Sequence, residues 1–307
     1  MFKNLIIGLL LSIIGVHAIA QEAVFTILAS KGTCIVQRAE NPDSYVPLES
    51  GLKIFKGDKI IVTGDESYVS LVTSEGKALE INKGGAFNTN KLEEQVNSNS
   101  NDVASKYVQY LAESLTKKSE QVNQQMGVTG SVERSWKKSE LFVYAPKNSK
   151  VFSNEVTVRW KELSGTSEYN VQLLNMFDEV VFDENVNSSQ ISFSILDLDL
   201  QPTEVYKLII SSLSDPAKKS SVITLEVPSK DEVAKMQNEV KDIQQAFDAN
   251  SALYNVVLAT YFDKSGMYLN AMPLYQKAIE TEPEVEAYQD LYNDFLFRVG
   301  LGDLSIY

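Results

Sequence analysis

The chain has 307 residues with 41 acidic and 28 basic side chains, which give a formal net charge of −13 at pH 7. This acidic balance disfavours nucleic acid and anionic lipid as partners, because like charges repel. The hydrophobic content of 44% is ordinary for globular protein, so the composition excludes a wholly disordered chain.

The N-terminal segment 1–20 is predicted to be a signal peptide. Lys3 precedes one apolar run, and the run ends in Ala18-Ile19-Ala20, where small residues at the last and third-last positions are typical of a signal-peptidase site. We expect cleavage after Ala20 and export of the mature chain to the periplasm or cell envelope. No later stretch has the length of a transmembrane span, so we expect no integral membrane span in the mature chain. An N-terminus retained as a membrane anchor remains the alternative.

A single histidine, His17, and a single cysteine, Cys34, limit the chemistry of the chain. Cleavage would remove His17, and with it Ser-His-Asp and Cys-His catalysis and the commonest zinc ligand. Cys34 has no second cysteine to pair with, and its strand-like surroundings indicate a small buried hydrophobic residue. We therefore predict a protein that is not an enzyme, with no catalytic residue, no metal site and no cofactor.

Residues 21–90 are predicted to form a small all-β domain, because apolar and polar residues alternate between Gly-Asp clusters. Turns are expected at Gly32 and at Thr63-Gly64-Asp65. The predicted strands are Val24–Leu28, Cys34–Gln37, Leu48–Ile54, Lys59–Thr63, Tyr68–Val72 and Ala78–Ile81.

This domain resembles the FecR-like domains of bacterial envelopes. The matching positions are Gly32, Gly57, Asp58, Ile60, Thr63, Gly64, Ser67, Gly76, Leu79 and Ile81. The chain departs from the family pattern by one residue, since both Ile61 and Val62 separate Ile60 from Thr63. The resemblance implies an envelope-facing binding or regulatory module.

Residues 91–139 are predicted to be a linker that contains an amphipathic helix over 102–126. Its apolar positions recur at helical spacing, and a break follows at Gly127. These positions are Tyr107, Tyr110, Leu111 and Leu115. We expect this stripe to dock against the neighbouring β domain. A membrane-surface helix is the alternative, but acidic residues such as Glu113 dilute the basic charge that it would need.

Residues 140–228 are predicted to form a β-sandwich. Alternation is clear in 156–160 and 169–173, and about seven strands in a segment of this length are typical of two packed sheets. Trp160 and Tyr206 are expected in its core. The segment resembles fibronectin type III and immunoglobulin-like domains, a resemblance that implies a spacer or recognition surface without chemistry of its own.

Residues 229–299 are predicted to be helical. Ser229 and Glu232 form a capping-box pattern at the start of a helix over 230–249. The segment 253–283 then resembles a tetratricopeptide repeat, with Asn255 and Pro273 as departures from that pattern. The matching positions are Leu258, Ala259, Phe262, Gly266, Tyr268, Ala271, Tyr275, Ala278 and Pro283.

The repeat resemblance implies a groove that binds other proteins. One repeat cannot bury its own apolar face, so we expect the helix over 230–249 and a flanking helix over 284–299 to complete a compact four-helix array. Residues 300–307 are expected to be a frayed tail. Asn255, Tyr261 and Tyr268 are candidate groove residues, but the sequence does not fix the groove and no site residue is assigned.

Together these features predict a multidomain chain of α and β segments that acts as an exported binding or scaffold protein of a cell envelope. Envelope proteins that contact the C-terminal helical domain are the first class of partner, and peptidoglycan or another glycan is the second. One alternative is a FecR-type signalling regulator with an uncleaved anchor. Another is a carbohydrate-active enzyme, for which the spacing of Asp197 and Asp199 would offer a carboxylate pair.

Overall fold

The computed structural model describes residues 22–97, 101–122, 141–152, 155–195, 198 and 200–304. These residues contain β-sheets that are antiparallel except for the parallel pair β7 and β13, and six α-helices. The predicted signal peptide and the pair Asp197 and Asp199 lie outside the described residues.

The first sheet is antiparallel and has the order β2-β1-β4-β5, with β3 paired to β1 and β6 paired to β4. Its strands are β1 Ala23–Gln37, β2 Tyr45–Pro47, β3 Lys53–Phe55, β4 Lys59–Val72, β5 Ala78–Ile81 and β6 Gly85–Asn88. The predicted strand over 48–54 is therefore wrong for most of its length. Gly51, with a φ of +86°, lies in the turn that separates β2 from β3.

The predicted turns at Gly32 and Gly64 are wrong as chain reversals, because β1 and β4 continue through both positions. The pairing of the two strands is interrupted there, since Lys31 pairs with Tyr68 and Thr33 pairs with Thr63, and residues 64–67 of β4 are left out of the ladder. The register shifts between Lys31 and Thr33, which marks a bulge in the ladder. Gly32 has a φ of +80°, and a Cβ there would lie 2.4 Å from the Oγ of Ser67. Glycine is thus needed for a local bend with a close approach and does not reverse the chain.

Two sheets form the second β unit. The five-stranded sheet has the order β10-β9-β12-β13-β7, and β8 pairs with β11 in the other sheet. The strands are β7 Asn148–Lys150, β8 Glu155–Arg159, β9 Tyr169–Leu174, β10 Val180–Val186, β11 Gln190–Ser194, β12 Val205–Ser212 and β13 Ile223–Glu226. Both sheets contribute to one core, in which Trp160 and Tyr206 are buried as predicted.

The helices are α1 Thr89–Asn97, α2 Asp102–Val122, α3 Lys230–Ala246, α4 Ala252–Lys264, α5 Tyr268–Thr281 and α6 Glu286–Arg298. The predicted capping box is confirmed at the start of α3, where the backbone N–H of Glu232 donates to Ser229 Oγ and the backbone N–H of Ser229 donates to the Glu232 carboxylate. The predicted fraying after residue 300 is wrong for Leu301, which is buried and donates its N–H to the carbonyl of Leu296 at 2.7 Å.

Helix α4 is the centre of the helical part of the molecule. Every residue from Ala252 to Asp263 is buried, because the sequence of this helix is apolar around most of its circumference. Helix α2 covers one side of α4, where the rings of Tyr107 and Tyr261 lie 5.0 Å apart in an edge-on contact. The α2 stripe therefore docks on the C-terminal helices as well as on β1 and β4, and not on the neighbouring β domain alone.

Part of the first sheet shares a hydrophobic core with the helices, whereas its other buried residues, such as Phe25 and Ile54, form a separate core. Leu28 from β1 and Tyr68 and Val72 from β4 belong to the same cluster of buried residues as the apolar faces of α2 and of α3 to α6. The segments that were predicted as a separate β domain and a separate helical domain are thus packed together, although a long stretch of sequence lies between them.

The second β unit contacts the helices through β7 and the turn between α4 and α5. The backbone N–H of Lys150 donates to the carbonyl of Gly266 at 2.9 Å. The N–H of Leu269, at the start of α5, donates to the Oγ of Ser149 at 3.2 Å. The rings of Phe152 and Phe262 add an apolar contact with 5.5 Å between their centroids. Backbone, side-chain and aromatic contacts therefore all hold this unit in place.

Candidate functional site

The groove residues suggested by the repeat pattern are not available to a partner. Asn255 and Tyr261 are fully buried and Tyr268 is half-buried. The side-chain amide of Asn255 donates to the carbonyl of Ser251 at 2.8 Å, and the Tyr261 hydroxyl donates to the Glu239 carboxylate at 3.0 Å. The prediction of a protein-binding groove at these residues of α4 is therefore wrong, because other parts of the same chain cover them.

A buried polar cluster lies where the first sheet meets the helices, and we call it the tyrosine joint. The Tyr68 hydroxyl donates to Oε1 of Glu80 at 2.6 Å and lies 2.6 Å from the Tyr288 hydroxyl. The same Glu80 oxygen accepts the backbone N–H of Leu253 at 2.8 Å. This carboxylate thus satisfies a free amide in the first turn of α4 and faces the positive end of that helix.

Burial raises the pKa of both tyrosines in the joint. For Tyr68 the neighbouring Tyr288 and the negative charge of Glu80 add to the effect of burial on the pKa. For Tyr288 the effect of burial outweighs the hydrogen bonds to Ser70 and Tyr68, which lower the pKa. Both hydroxyls are therefore neutral donors at physiological pH, and the joint is suited to holding the interface together.

A second polar group ties α4, α5 and α6 together. Arg298 donates through two nitrogens to the two oxygens of Asp263, at 2.7 and 2.6 Å. Asp263 is buried, and the Tyr275 hydroxyl contacts the same carboxylate at 3.4 Å. Burial raises the pKa of Tyr275 and the negative charge of Asp263 raises it further. This bidentate pair joins the ends of α4 and α6.

In the described part of the chain, the other candidates for a reactive or metal-binding site are absent or have a structural role. Cys34 is buried as predicted, and burial raises the pKa of its thiol. Within the described residues, no group of His, Cys, Asp and Glu side chains is arranged to hold a metal ion. None of the helices described is long and apolar enough to cross a membrane.

The most exposed apolar side chains of the second β unit lie on the hairpin between β9 and β10. Phe177 is 84% exposed and Met176 is 58% exposed, and Val180 and Val181 are also exposed. We call residues 175–181 the hairpin tip. Four apolar residues in so short a surface segment form a candidate interaction surface.

Hydrogen bonds from one side chain hold the hairpin tip in shape. Oδ1 of Asn175 accepts the backbone N–H of Phe177 at 2.9 Å and that of Glu179 at 3.0 Å. The amide nitrogen of Asn175 donates to the Glu179 carboxylate at 2.7 Å. Asp178 has a φ of +63°, and its carboxylate pairs with Lys207 of β12 at 2.7 Å. The tip is therefore an ordered turn that presents its apolar residues to solvent.

Sequence reasoning missed the hairpin tip because alternation was used only to find strands. The signal that would have found it is Asn175-Met176-Phe177-Asp178, which places two large apolar residues between turn-forming residues. Such residues in a predicted turn cannot reach the core of their own sheet, so they are candidates for contact with another molecule.

No protein-family model and no curated protein matches this chain. Among solved structures, it is similar to the FN5 domain of Drosophila Lar, with 16% identity over 28% of this chain and 99% of that chain and a TM-score of 0.21. For the fn3 domain of human collagen alpha-1(XX) the identity is 20%, over 34% of this chain and 95% of that chain, with a TM-score of 0.21. For the structure named FN3tt the identity is 16%, over 29% and 88% respectively, with a TM-score of 0.20. At these TM-scores the similarities carry no argument about fold or function.

Proposed function

We propose that this chain is an exported, non-enzymatic scaffold protein of a bacterial cell envelope that binds other proteins. In this proposal residues 21–90 form a FecR-like module, 140–228 form a sandwich of the fibronectin type III or immunoglobulin type, and 229–299 form a helical array of tetratricopeptide type. Its signal peptide is removed after Ala20, and its work is to hold partners in a fixed arrangement.

The observation that carries this proposal is the continuous packing of the first sheet and the helices. A scaffold has to keep its contact surfaces at fixed positions, and elements that share a hydrophobic core and a buried hydrogen-bond network cannot move independently. The contacts of Ser149 and Lys150 with the turn between α4 and α5 extend the same fixed arrangement to the second β unit.

Partner binding by the helical domain is assigned to its outer surface, since the face of α4 is filled. Phe297 of α6 is 77% exposed, and the neighbouring Arg298 is half-exposed. An exposed aromatic residue beside an arginine is the composition of interface anchors. Phe297 is therefore the residue on which the proposed contact of envelope proteins with the helical domain is centred.

The test is chemical crosslinking in intact cells of the source organism, followed by pull-down with the full-length chain and mass spectrometry. We expect a protein partner that is recovered with wild type and lost with Phe297→Asp. The matched control is Tyr45→Asp, since Tyr45 is exposed on β2 of the first sheet. Point substitutions are needed because deleting a whole segment would open the shared core.

Two results would overturn the proposal. Recovery of wall glycan alone, unchanged by Phe297→Asp, would make the chain a glycan-binding protein. A mature N-terminus that retains residues 1–20, together with a membrane-bound regulator as the crosslinked species, would favour the signalling alternative.

A further inference from the structure

We propose that the hairpin tip is a preformed anchor that inserts Met176 and Phe177 into an apolar pocket with a cationic rim on a partner protein. The inference rests on the proposed binding function and names a second contact surface with the chemistry of its partner. The tip belongs to the second β unit, whereas Phe297 lies on the last long helix, so the two contacts would give one chain two partner sites.

Exposure is the first support for this assignment. The β9–β10 connection exposes two consecutive large apolar side chains, and the exposed Val180 and Val181 follow within the same tip. The sheet core beneath is already complete, since Leu173 and Val171 of β9 are fully buried. Phe177, at 84% exposed, therefore contributes little to folding through burial, and burying the exposed apolar surface of the tip against another molecule is favourable.

Order is the second support. Asn175 alone accepts two backbone N–H groups of the tip and donates to the Glu179 side chain. Asp178 adopts the left-handed conformation, which is unfavourable for a residue with a side chain, and its ion pair with Lys207 helps to hold it there. A contact loop that is ordered before binding loses little conformational entropy on binding.

Charge decides what kind of partner fits. The hairpin carries the carboxylates of Asp178 and Glu179 in the tip and of Asp183 and Glu184 further along β10. Lys207 pairs with the first of these, whereas Asp183 is held by the neutral amides of Asn170, at 2.5 Å, and Gln172, at 3.1 Å. Neutral donors leave the negative charge in place, so the hairpin that carries the apolar residues keeps a net negative charge. A pocket rimmed with Lys and Arg complements it, and an anionic membrane repels it.

The mode of binding is insertion of side chains and not addition of a strand to the sheet. Strand β10 is the outer strand of the five-stranded sheet, so its free edge is an alternative surface. Its pairing with β9 is irregular between Val180 and Phe182, and acidic residues follow directly. Bulges and charged residues on an edge are features that prevent strand addition.

The first experiment places a photo-crosslinking benzoylphenylalanine at position 177 of the full-length chain in cells of the source organism. We expect one dominant protein adduct, and mass spectrometry of the crosslinked peptide should locate it in an apolar segment flanked by Lys or Arg. Adducts spread over many proteins, adducts with lipid, or a crosslinked segment without basic residues would overturn the inference.

The same probe at position 297 separates the two proposals. Crosslinks from 297 but not from 177 leave the proposed function standing and refute the anchor, and the absence of both refutes both.

The second experiment measures affinity between the purified full-length chain and the crosslinked partner. We expect Phe177→Ser to weaken binding by at least about tenfold and Glu179→Lys to weaken it and to reduce its salt dependence. Asn175→Ala should weaken binding although both apolar residues remain, because the tip is then less ordered. The matched control is Val222→Ser, an exposed apolar position elsewhere on the same unit, which should bind as wild type does. The proposal would be refuted if Phe177→Ser left the affinity unchanged. It would also be refuted if neither salt nor Glu179→Lys changed the affinity.

Discussion

The hydroxyl of Tyr68 in β4 lies 2.6 Å from the hydroxyl of Tyr288 in α6, and the two residues are 220 positions apart in the sequence. Since the proton of Tyr68 is donated to Glu80, the proton in the short contact comes from Tyr288. The hydrogen bonds therefore run from Tyr288 of α6 to Tyr68 of β4 and on to Glu80. The Glu80 carboxylate also accepts the N–H of Leu253 at the start of α4. One hydrogen-bond network therefore connects the first sheet with α4 and α6.

Removing the Tyr68 hydroxyl should destabilise the whole molecule. Tyr68→Phe leaves the Tyr288 hydroxyl with only the longer contact to Ser70 Oγ, at 3.4 Å, and takes one donor from the half-buried Glu80. We therefore expect a loss of about 1–3 kcal/mol in the free energy of unfolding. Urea denaturation followed by tyrosine fluorescence and circular dichroism measures the loss. The control is Tyr45→Phe, because Tyr45 is exposed on the same sheet and should change the free energy by less than about 0.5 kcal/mol. Equal effects of the two substitutions would show that the joint contributes nothing.

The joint should also make the molecule sensitive to alkaline pH. Burial raises the pKa of Tyr288 above its ordinary value of about 10, so below that pH the tyrosine is protonated in both the folded and the unfolded chain. Above it the unfolded chain loses the proton while the folded chain keeps it, and the free energy of unfolding falls by about 1.4 kcal/mol per pH unit for each such tyrosine.

Urea midpoints recorded between about pH 9 and pH 11 test this effect. We expect Tyr288→Phe to have a shallower fall with pH than wild type, by about one proton. Lysines titrate in both proteins, so the difference between the two slopes isolates the tyrosine. Parallel slopes would contradict a protonated Tyr288 in the folded state.

Local features of this fold were predictable from the sequence. The capping box at Ser229 and the buried aromatic residues Trp160 and Tyr206 depend on residues that are close in sequence or on a strict alternation. The positions of Gly32 and Gly64 were identified correctly as special, but their role was not. A glycine with positive φ serves a reversal and a bulge equally well, and only the partner strand decides between them.

The contacts between distant segments were not predictable from one sequence. Nothing near Tyr68 or Tyr288 indicates that the two residues meet, because their contact depends on how α6 lies against β4. The burial of α4 had a signal that was not used: residues 252–263 are apolar around most of the helix, which is typical of a central helix. The resemblance to a repeat predicted an open groove at residues 252–263 and so hid this signal. The hairpin tip was missed for a different reason, because strand periodicity was applied through the turn.

The close contact of the loop after β4 with α2 gives a prediction about packing. Gly76 has a φ of +81°, and a Cβ there would lie 2.3 Å from the backbone oxygen of Ser105. Gly76→Ala therefore meets both an unfavourable backbone conformation and a clash with backbone that cannot move away without shifting α2. The matched control is Gly266→Ala, which has a φ of +76° and nothing within 4 Å of the added Cβ.

Thermal unfolding of the two alanine variants separates the two costs. We expect Gly266→Ala to lose about 1–2 kcal/mol, which is the cost of the left-handed conformation alone. Gly76→Ala should lose more than that, by about 1–3 kcal/mol for the clash. Hydrogen exchange should show the extra loss as faster exchange in α2. Equal losses would mean that α2 adapts to the added methyl group at no cost.

The pair of Arg298 and Asp263 gives a prediction that depends on geometry as well as charge. The Asp263 carboxylate is buried and both of its oxygens accept from the guanidinium, which a single ammonium group cannot reproduce. We expect Arg298→Lys to lower the free energy of unfolding by about 1–2 kcal/mol and Arg298→Met to lower it further, because the methionine leaves the carboxylate without a cation. Lys207→Met is the control, since its partner Asp178 is exposed and such pairs contribute about 0–1 kcal/mol. The prediction would be contradicted if urea denaturation gave the same small loss of free energy for Arg298→Lys, Arg298→Met and Lys207→Met. The buried pair would then contribute no more than an exposed one, and Asp263 would be held by Tyr275 and the helix packing alone.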